Sequence, residues 1–346
     1  MSAFERRRLG RTDVDVSVLG FGGATIGGLS ARVPEHQSQA TLEAAWDEGI
    51  RYFDTAPFYG LGLSELRVGG LLRERSRAEF VISTKVGRVL RAPVDLERRR
   101  ASWPGGLGFE VKFDYTYDGI LRAYEDSLQR LGLPRIDLAI VHDLDLGTHS
   151  SQARWDAFMA QLITSGWRAL DELRSARMIR GIGVGINPRG MIPHFLELFD
   201  PDFFLVAGRY TLMEQEVLDD ELPACVERGV GIVIGAVFNS GLLATGPSPG
   251  ARYDYTDPTP DQIERVRRIQ AVCERYAVPL VAAALQFPLA HPAVASVIPG
   301  PVTTEQARSN AAGIRHSIPP DLWRELKQEG LLRADAPTPA ERLSYT

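Results

Sequence analysis

Eight short apolar runs punctuate the chain: Val16–Phe21, Arg51–Asp54, Phe80–Lys85, Ile136–His142, Ile179–Val184, Phe203–Ala207, Gly231–Ala236 and Ala295–Pro299. Each reads as a buried strand. Between and after them, apolar positions return with helical spacing over Gln37–Glu48, Ser64–Arg73, Asp118–Leu131, Trp155–Arg177, Gly190–Phe199, Asp219–Arg228, Asp261–Tyr276 and Thr304–Ala312. Ser64 is placed to cap the second of these helices, and Gly132 to stop the third. Strands that are apolar throughout need cover on both faces, as parallel strands have. Eight strand–helix units predict an α/β fold, a single (β/α)8 barrel over residues 1–346.

The rival is a doubly wound open sheet, which binds dinucleotides at a Gly-x-Gly-x-x-Gly turn. Gly20-Phe-Gly22-Gly23-Ala-Thr25 and Gly181-Ile-Gly183-Val-Gly185-Ile186 both fail that pattern at its sixth position. The barrel reading is preferred. Two connections are long, 87–117 after the third strand and 238–260 after the seventh. Both belong at the C-terminal rim, where barrel active sites lie. The segment 331–346 is read as a mobile tail, and the Leu96–Arg100 charge cluster as a solvated loop.

Composition narrows the function classes. Net charge is −5, which argues against non-specific nucleic-acid binding. Two cysteines, Cys225 and Cys273, cannot build a disulfide framework or a multi-cysteine zinc site, and both fall on predicted helices. No apolar run is long enough to cross a bilayer, and no secretory leader is visible, so a cytoplasmic protein is expected. Lysine occurs only at Lys85, Lys112 and Lys327, against 39 basic residues in all. Lys85, at the end of an apolar strand in an arginine-rich chain, therefore invites a chemical explanation.

Asp54, Lys85 and His142 end the second, third and fourth strands, and Tyr59 follows Asp54 in a Pro-containing loop. Asp54 can hold Lys85 charged, and Lys85 is expected to lower the pKa of the Tyr59 phenol. His142 can hydrogen-bond a substrate oxygen. Such a tyrosine exchanges a proton with a carbonyl or alcohol as hydride moves. Each residue alone is more often structural; the four together at one rim favour catalysis. The rival is a metal site from His142, Asp143, Asp145 and His149, whose spacing matches no established ligand pattern, so no metal is expected. Serine hydrolysis lacks its Gly-x-Ser-x-Gly elbow.

These residues resemble the aldo-keto reductases across nearly the whole chain. The resemblance is carried by Leu19–Gly23, Gly49–Gly60 with Asp-Thr-Ala and Tyr-Gly, Ser83-Thr-Lys85, Leu128–Leu133, Ile136-Asp137 with His142, and Ile298-Pro-Gly300 with Asn310. It implies a nicotinamide cofactor and a catalytic set of Asp54, Tyr59, Lys85 and His142, with Tyr59 as general acid/base. Phe58–Glu65, Val141–Asp143, Leu205–Gln215 and Val237–Leu243 are similar to the aldose 1-dehydrogenase branch, which includes L-fucose, L-galactose and D-arabinose dehydrogenases and lies near pyridoxal 4-dehydrogenase. That likeness implies oxidation of a cyclic hemiacetal at C1 to a lactone.

It also implies that Asn187 meets the carboxamide, that Asn239, Ser240, Gly241 and Leu242 cradle the pyrophosphate, and that Asn310 contacts adenine. Gly235 stands where the family has a stacking aromatic. Gly300 and Gln306 stand where NADP-preferring relatives place cations, so NAD is expected to be preferred and NADP possible, with Arg308 the one nearby cation. Phe58, Trp103, Asp143 and Tyr253 are the expected substrate contacts. Pyridoxal oxidation and NADPH-linked aldehyde or ketone reduction are the same-fold alternatives, and a cofactor-binding regulatory barrel subunit is the non-enzymatic one. The expected partner is a small-molecule sugar, with the protein a monomer or homodimer.

Overall fold

The computed structural model describes residues 4–29, 31–94 and 103–339. The strands, in chain order, are β1 (Arg6–Arg8), β2 (Asp15–Ser17), β3 (Phe21–Gly22), β4 (Tyr52–Asp54), β5 (Val81–Val86), β6 (Arg88–Arg91), β7 (Glu110–Phe113), β8 (Leu138–His142), β9 (Gly181–Ile186), β10 (Phe203–Ala207), β11 (Gly231–Gly235) and β12 (Val294–Ile298). β3, β4, β5 and β8 to β12 form one parallel sheet in that order. Leu19 bridges Val297, and the amide of Gly20 donates to the Val297 carbonyl at 2.9 Å, which closes the sheet into an (α/β)8 barrel.

The helices are α1 (Glu35–Asp47), α2 (Leu63–Leu72), α3 (Tyr117–Leu131), α4 (Leu146–His149), α5 (Gln152–Gln161), α6 (Trp167–Ser175), α7 (Met191–Leu198), α8 (Glu221–Arg228), α9 (Leu242–Thr245), α10 (Pro260–Arg275), α11 (Leu280–Gln286), α12 (Thr304–Arg315) and α13 (Pro320–Gln328). No helix among the described residues is long and apolar enough to cross a membrane. Cys225 and Cys273 are buried free thiols on α8 and α10.

The core has two parts. The larger lies between the strands and the surrounding helices. The smaller fills the barrel interior, where Tyr52, Val81, Leu138, Ile140, Phe203, Leu205 and Val233 meet Leu9, Val14 and Val16 from the β1–β2 hairpin region. That hairpin stops the end of the barrel opposite the catalytic rim.

The Gly-x-Gly-x-Gly run that fails as a dinucleotide motif has a packing explanation. Gly181, Gly183 and Gly185 alternate along β9 with Ile182, Val184 and Ile186, which pack in the outer core. A Cβ on Gly183 would lie 2.4 Å from the Phe203 ring, so this strand gives up its side chains to make room for a phenyl group from its neighbour. Gly183→Ala is expected to destabilise the fold by about 1–3 kcal/mol through overpacking, read as a lowered urea midpoint.

Several expectations change. Ser64 is not the N-cap of α2; Gly62 is, and the Ser64 hydroxyl instead donates to the Gly23 carbonyl at 2.8 Å and accepts from Thr55. The long helix expected over Trp155–Arg177 is α5 and α6 joined by a π-helical turn at Leu162–Gly166. There the Gly166 backbone presses on the Tyr115 carbonyl, only 2.0 Å from where a Cβ would sit, which leaves no room for any side chain. The connection 87–117 contains the antiparallel pair β6–β7. Leu331, Leu332, Ala336 and Thr338, read as part of a mobile tail, are buried against the barrel. The Leu96–Arg100 cluster lies outside the described residues.

Candidate active site

The ends of β4, β5 and β8 deliver Asp54, Lys85 and His142 to one rim. The Lys85 ammonium donates to Asp54 Oδ2 at 2.6 Å and to the Thr55 carbonyl at 3.0 Å. The Ser83 hydroxyl donates to the other carboxylate oxygen at 2.8 Å and is 3.1 Å from the Tyr52 hydroxyl. Both charges are buried, which is tolerable only because each is paired and hydrogen-bonded. Burial pushes the Asp54 carboxyl above its ordinary value, and Lys85 and Ser83 pull against that rise.

Tyr59 sits in the turn after β4. That turn packs backbone on backbone against the first rim loop: a Cβ on Gly60, at φ +64, would be 2.3 Å from the Gly27 carbonyl oxygen. The turn therefore holds Tyr59 with little freedom. Lys85 Nζ lies 4.5 Å from the centroid of the Tyr59 ring, on its face. His142 meets the same ring edge-on, with centroids 5.7 Å apart. Phe58 and Trp103 wall the group, Trp103 edge-on to Phe58 at 5.2 Å and tilted to Tyr59 at 6.1 Å. The Trp103 indole N–H is buried and finds no partner among the described residues.

The electrostatics differ from expectation at Tyr59. Burial, then the charges of Asp54 and Asp143, push its phenol well above the usual range, and Arg88 opposes them. The expected lowering by Lys85 is absent for a physical reason: Asp54, in direct contact, already balances the Lys85 charge. His142 goes the other way. Burial, then the Arg88 and Lys85 cations, push its imidazole well below its ordinary value, so it is neutral at neutral pH. Its Nε2 lies 3.3 Å from Asp143 Oδ2, and its carbonyl accepts the Tyr115 hydroxyl at 2.8 Å.

Sequence reasoning missed Arg88 and Tyr115. Arg88 begins β6 and donates to Asp143 Oδ2 at 2.7 Å. A charged strand start inside a long connection carried no periodic signal, and arginines are too common here to stand out. Asp143 is thereby occupied on both oxygens, since the Asn187 amide donates to Oδ1 at 2.9 Å. The remaining expected residues divide. Tyr253 is not at the mouth: it is buried, and its hydroxyl donates to Glu214, while the next-but-one Tyr255 is exposed. The Asn239 side chain turns inward, its Oδ1 accepting the Thr211 hydroxyl at 2.7 Å and its amide donating to the Gly208 carbonyl. Ser240 accepts the Tyr255 amide. Leu242 is buried, Gly241 opens to free space, and Gly300 lies under Thr25. Gln306 is exposed and accepts the Val302 amide, whereas Asn310 is buried on α12. Of the four residues weighed as a metal site, Asp145 caps α4 and His149 packs among Phe113, Tyr115 and Phe158.

The model of the aldo/keto reductase family matches residues 18–329. The chain belongs to that family. Among curated proteins it is 43% identical to pyridoxal 4-dehydrogenase of Microbacterium luteolum, over 96% of this chain and 99% of that one. It is 41% identical to D-threo-aldose 1-dehydrogenase of a Pseudomonas species, over 94% and 96%. L-galactose dehydrogenase of Arabidopsis thaliana is 26% identical over 91% and 89%. Among solved structures, an aldo-keto reductase from Bacillus halodurans in its holo form superposes with a TM-score of 0.74 at 25% identity, covering 96% of this chain and 98% of the other. This aldo/keto reductase is an oxidoreductase acting on CH–OH groups, and its family uses nicotinamide cofactors.

Proposed function

We propose that this aldo/keto reductase oxidises the C1 hydroxyl of a cyclic hemiacetal of the L-fucose, L-galactose or D-arabinose type to the lactone, with NAD as the preferred cofactor. The observation that carries the reading is the stacked arrangement at the rim: a neutralised Lys85–Asp54 pair under the Tyr59 ring, a neutral His142 on its edge, and an aromatic wall of Phe58 and Trp103.

The residues present fit a nicotinamide dinucleotide. Beside His142 the paired position of β9 is Gly185, and β10 and β11 end in Ala207 and Gly235, three small residues at this rim. Asn187, the backbone of 239–242 and Asn310 are the groups that would hold it. Because the Asn239 and Ser240 side chains are used within the protein, their contribution would come from the main chain. When bound, the cofactor supplies the hydride acceptor.

The protein's own residues handle the proton and the orientation. As the C1–H bond gives up its hydride, the C1 hydroxyl loses its proton to Tyr59 in its phenolate form, and the new C=O completes the lactone. Neutral His142 donates a hydrogen bond to a substrate oxygen and fixes its angle. Phe58 and Trp103 pack on the C–H face of the ring and exclude water. Because burial holds the Tyr59 phenol above its usual range, oxidation is expected to quicken as pH rises, and carbonyl reduction to be favoured at lower pH.

The NAD preference rests on the uncharged residues at Gly300 and Gln306. Gln306→Arg is expected to improve kcat/KM for NADP relative to NAD about tenfold, the effect of one charge-assisted contact to a 2′-phosphate. Pyridoxal is the second reading, favoured by the identity to the Microbacterium luteolum enzyme. Its aldehyde and adjacent hydroxymethyl group also close into a hemiacetal, so the same chemistry serves both. The deciding experiment follows reduced-nicotinamide absorbance with NAD or NADP and L-fucose, L-galactose, D-arabinose, pyridoxal or a generic aldehyde. Fast NAD reduction with one sugar supports the proposal; turnover of pyridoxal alone replaces the substrate; turnover only of aldehydes with NADPH overturns it.

A further inference from the structure

We propose that Arg88 is a positioning residue of the hydride-transfer site, fixing Asp143 against His142 and setting the electrostatic surroundings in which Tyr59 exchanges its proton. The proposal rests on Tyr59 being the general acid/base.

Arg88 lies outside the barrel strands, yet its side chain is directed into the site and is only 3% exposed. The β6–β7 pairing sets it opposite Phe113. Its guanidinium is 4.1 Å from the Phe58 ring centroid and 5.1 Å from that of Phe113. A planar, weakly hydrated cation suits such a slot, and an ammonium does not. One Nη donates to Asp143, while Nε is buried without a partner among the described residues.

Asp143 is held in an unusual way. It has φ +45, a backbone state that non-glycine residues keep only when their surroundings over-determine it. The surroundings here are Arg88 on one carboxylate oxygen, Asn187 on the other, and the Gly185 carbonyl accepting the Asp143 amide at 3.1 Å. Oδ2, the oxygen that Arg88 holds, is the one 3.3 Å from His142 Nε2. Arg88 therefore decides where the carboxylate stands relative to the imidazole, and through Asn187 it reaches the side where nicotinamide would lie.

The charge arrangement gives Arg88 a second effect. The groups facing Tyr59 are Asp54 on β4, Lys85 on β5, His142 and Asp143 at the end of β8, Arg88 on β6, and Tyr255 from the seventh rim loop. Lys85 is balanced by Asp54, and His142 is neutral. Asp143 would otherwise stand as a bare negative charge that keeps the phenol protonated. Arg88 offsets it, and it is the cation that opposes the rise at Tyr59.

The test is the pH dependence of NAD-linked turnover in three variants, with Tyr59→Phe alongside. Arg88→Met is expected to move the rise of kcat to higher pH by about one unit, because Asp143 is still ionised in that alkaline range. Asp143→Asn is expected to move it to lower pH by a similar amount. Arg88→Lys retains the charge, so its profile should stay near that of the wild type while kcat falls through lost geometry. A purely structural ion pair would change stability or KM without displacing the two profiles in opposite directions. Coincident profiles for wild type, Arg88→Met and Asp143→Asn overturn the proposal. If Arg88→Met does not fold, Asp143→Asn must shift downward while Arg88→Lys does not, and failure of either is equally decisive. Full turnover by Tyr59→Phe instead sinks the underlying mechanism, so the two failures are distinct.

Discussion

Tyr59→Phe is expected to cut turnover about 10²–10⁴-fold, the usual loss of a positioned general acid/base, while nicotinamide affinity and the unfolding midpoint stay near those of the wild type. The ring of Tyr59 contributes the packing in this site, with Lys85 on its face and His142 and Trp103 around it, and phenylalanine preserves that ring. Only the hydroxyl is lost. Steady-state kinetics, fluorescence titration of cofactor and a urea melt together check all three parts. A variant with normal turnover would show that another group moves the proton.

Lys85→Met is expected to cost about 3–5 kcal/mol of stability as well as activity. It leaves the Asp54 carboxylate buried with only Ser83 to serve it. The pH dependence has a definite sign. Burial raises the Asp54 pKa and this variant lacks the Lys85 that opposes the rise, so between the unfolded and folded pKa values the native protein binds the extra proton. Stability is thus greater in mild acid and is lost as pH rises through the folded value. Adding Asp54→Asn should return most of the stability and none of the turnover. Urea unfolding across pH 5 to 8, the usual window for such proteins, reads both effects. Equal stability of the single and double variants would show that the pair is not under strain from burial.

The barrel was legible in the chain because its eight parallel strands are apolar on both faces, and turn residues separate them from helices. What escaped notice lacked such contrast. Leu280–Gln286 is apolar on every side, so it shows no period, yet it forms α11. Pro320–Gln328 is amphipathic, but it lies beyond the eighth strand–helix unit, where the barrel pattern predicts no further helix. The β6–β7 pair is only four residues a side, with Arg88 and Arg91 facing Phe113 and Glu110, so it reads as polar connection. For the site, residues at strand ends were legible because topology alone brings Asp54, Lys85 and His142 together. Tyr253 shows the opposite case: expected at the mouth, it is buried while Tyr255 is exposed, in a turn from Tyr253 to Thr256 that holds Asp254 and Tyr255 at positive φ. Nothing in local composition distinguishes them.

The hairpin that stops the barrel has a consequence for the order in which the protein is made. The Arg7 guanidinium donates to the carbonyls of Leu289 and Val294, and Val18 and Gly20 hydrogen-bond Val297. The chain must be made past Val297 before all these partners exist. Until then β3 has one free edge, and the apolar residues Leu9, Val14 and Val16 have no interior to enter. Ring closure therefore waits until Val297 has emerged, and contacts of such long sequence separation form slowly. Until that point the nascent chain carries an open sheet edge, the kind of unpaired strand that invites aggregation.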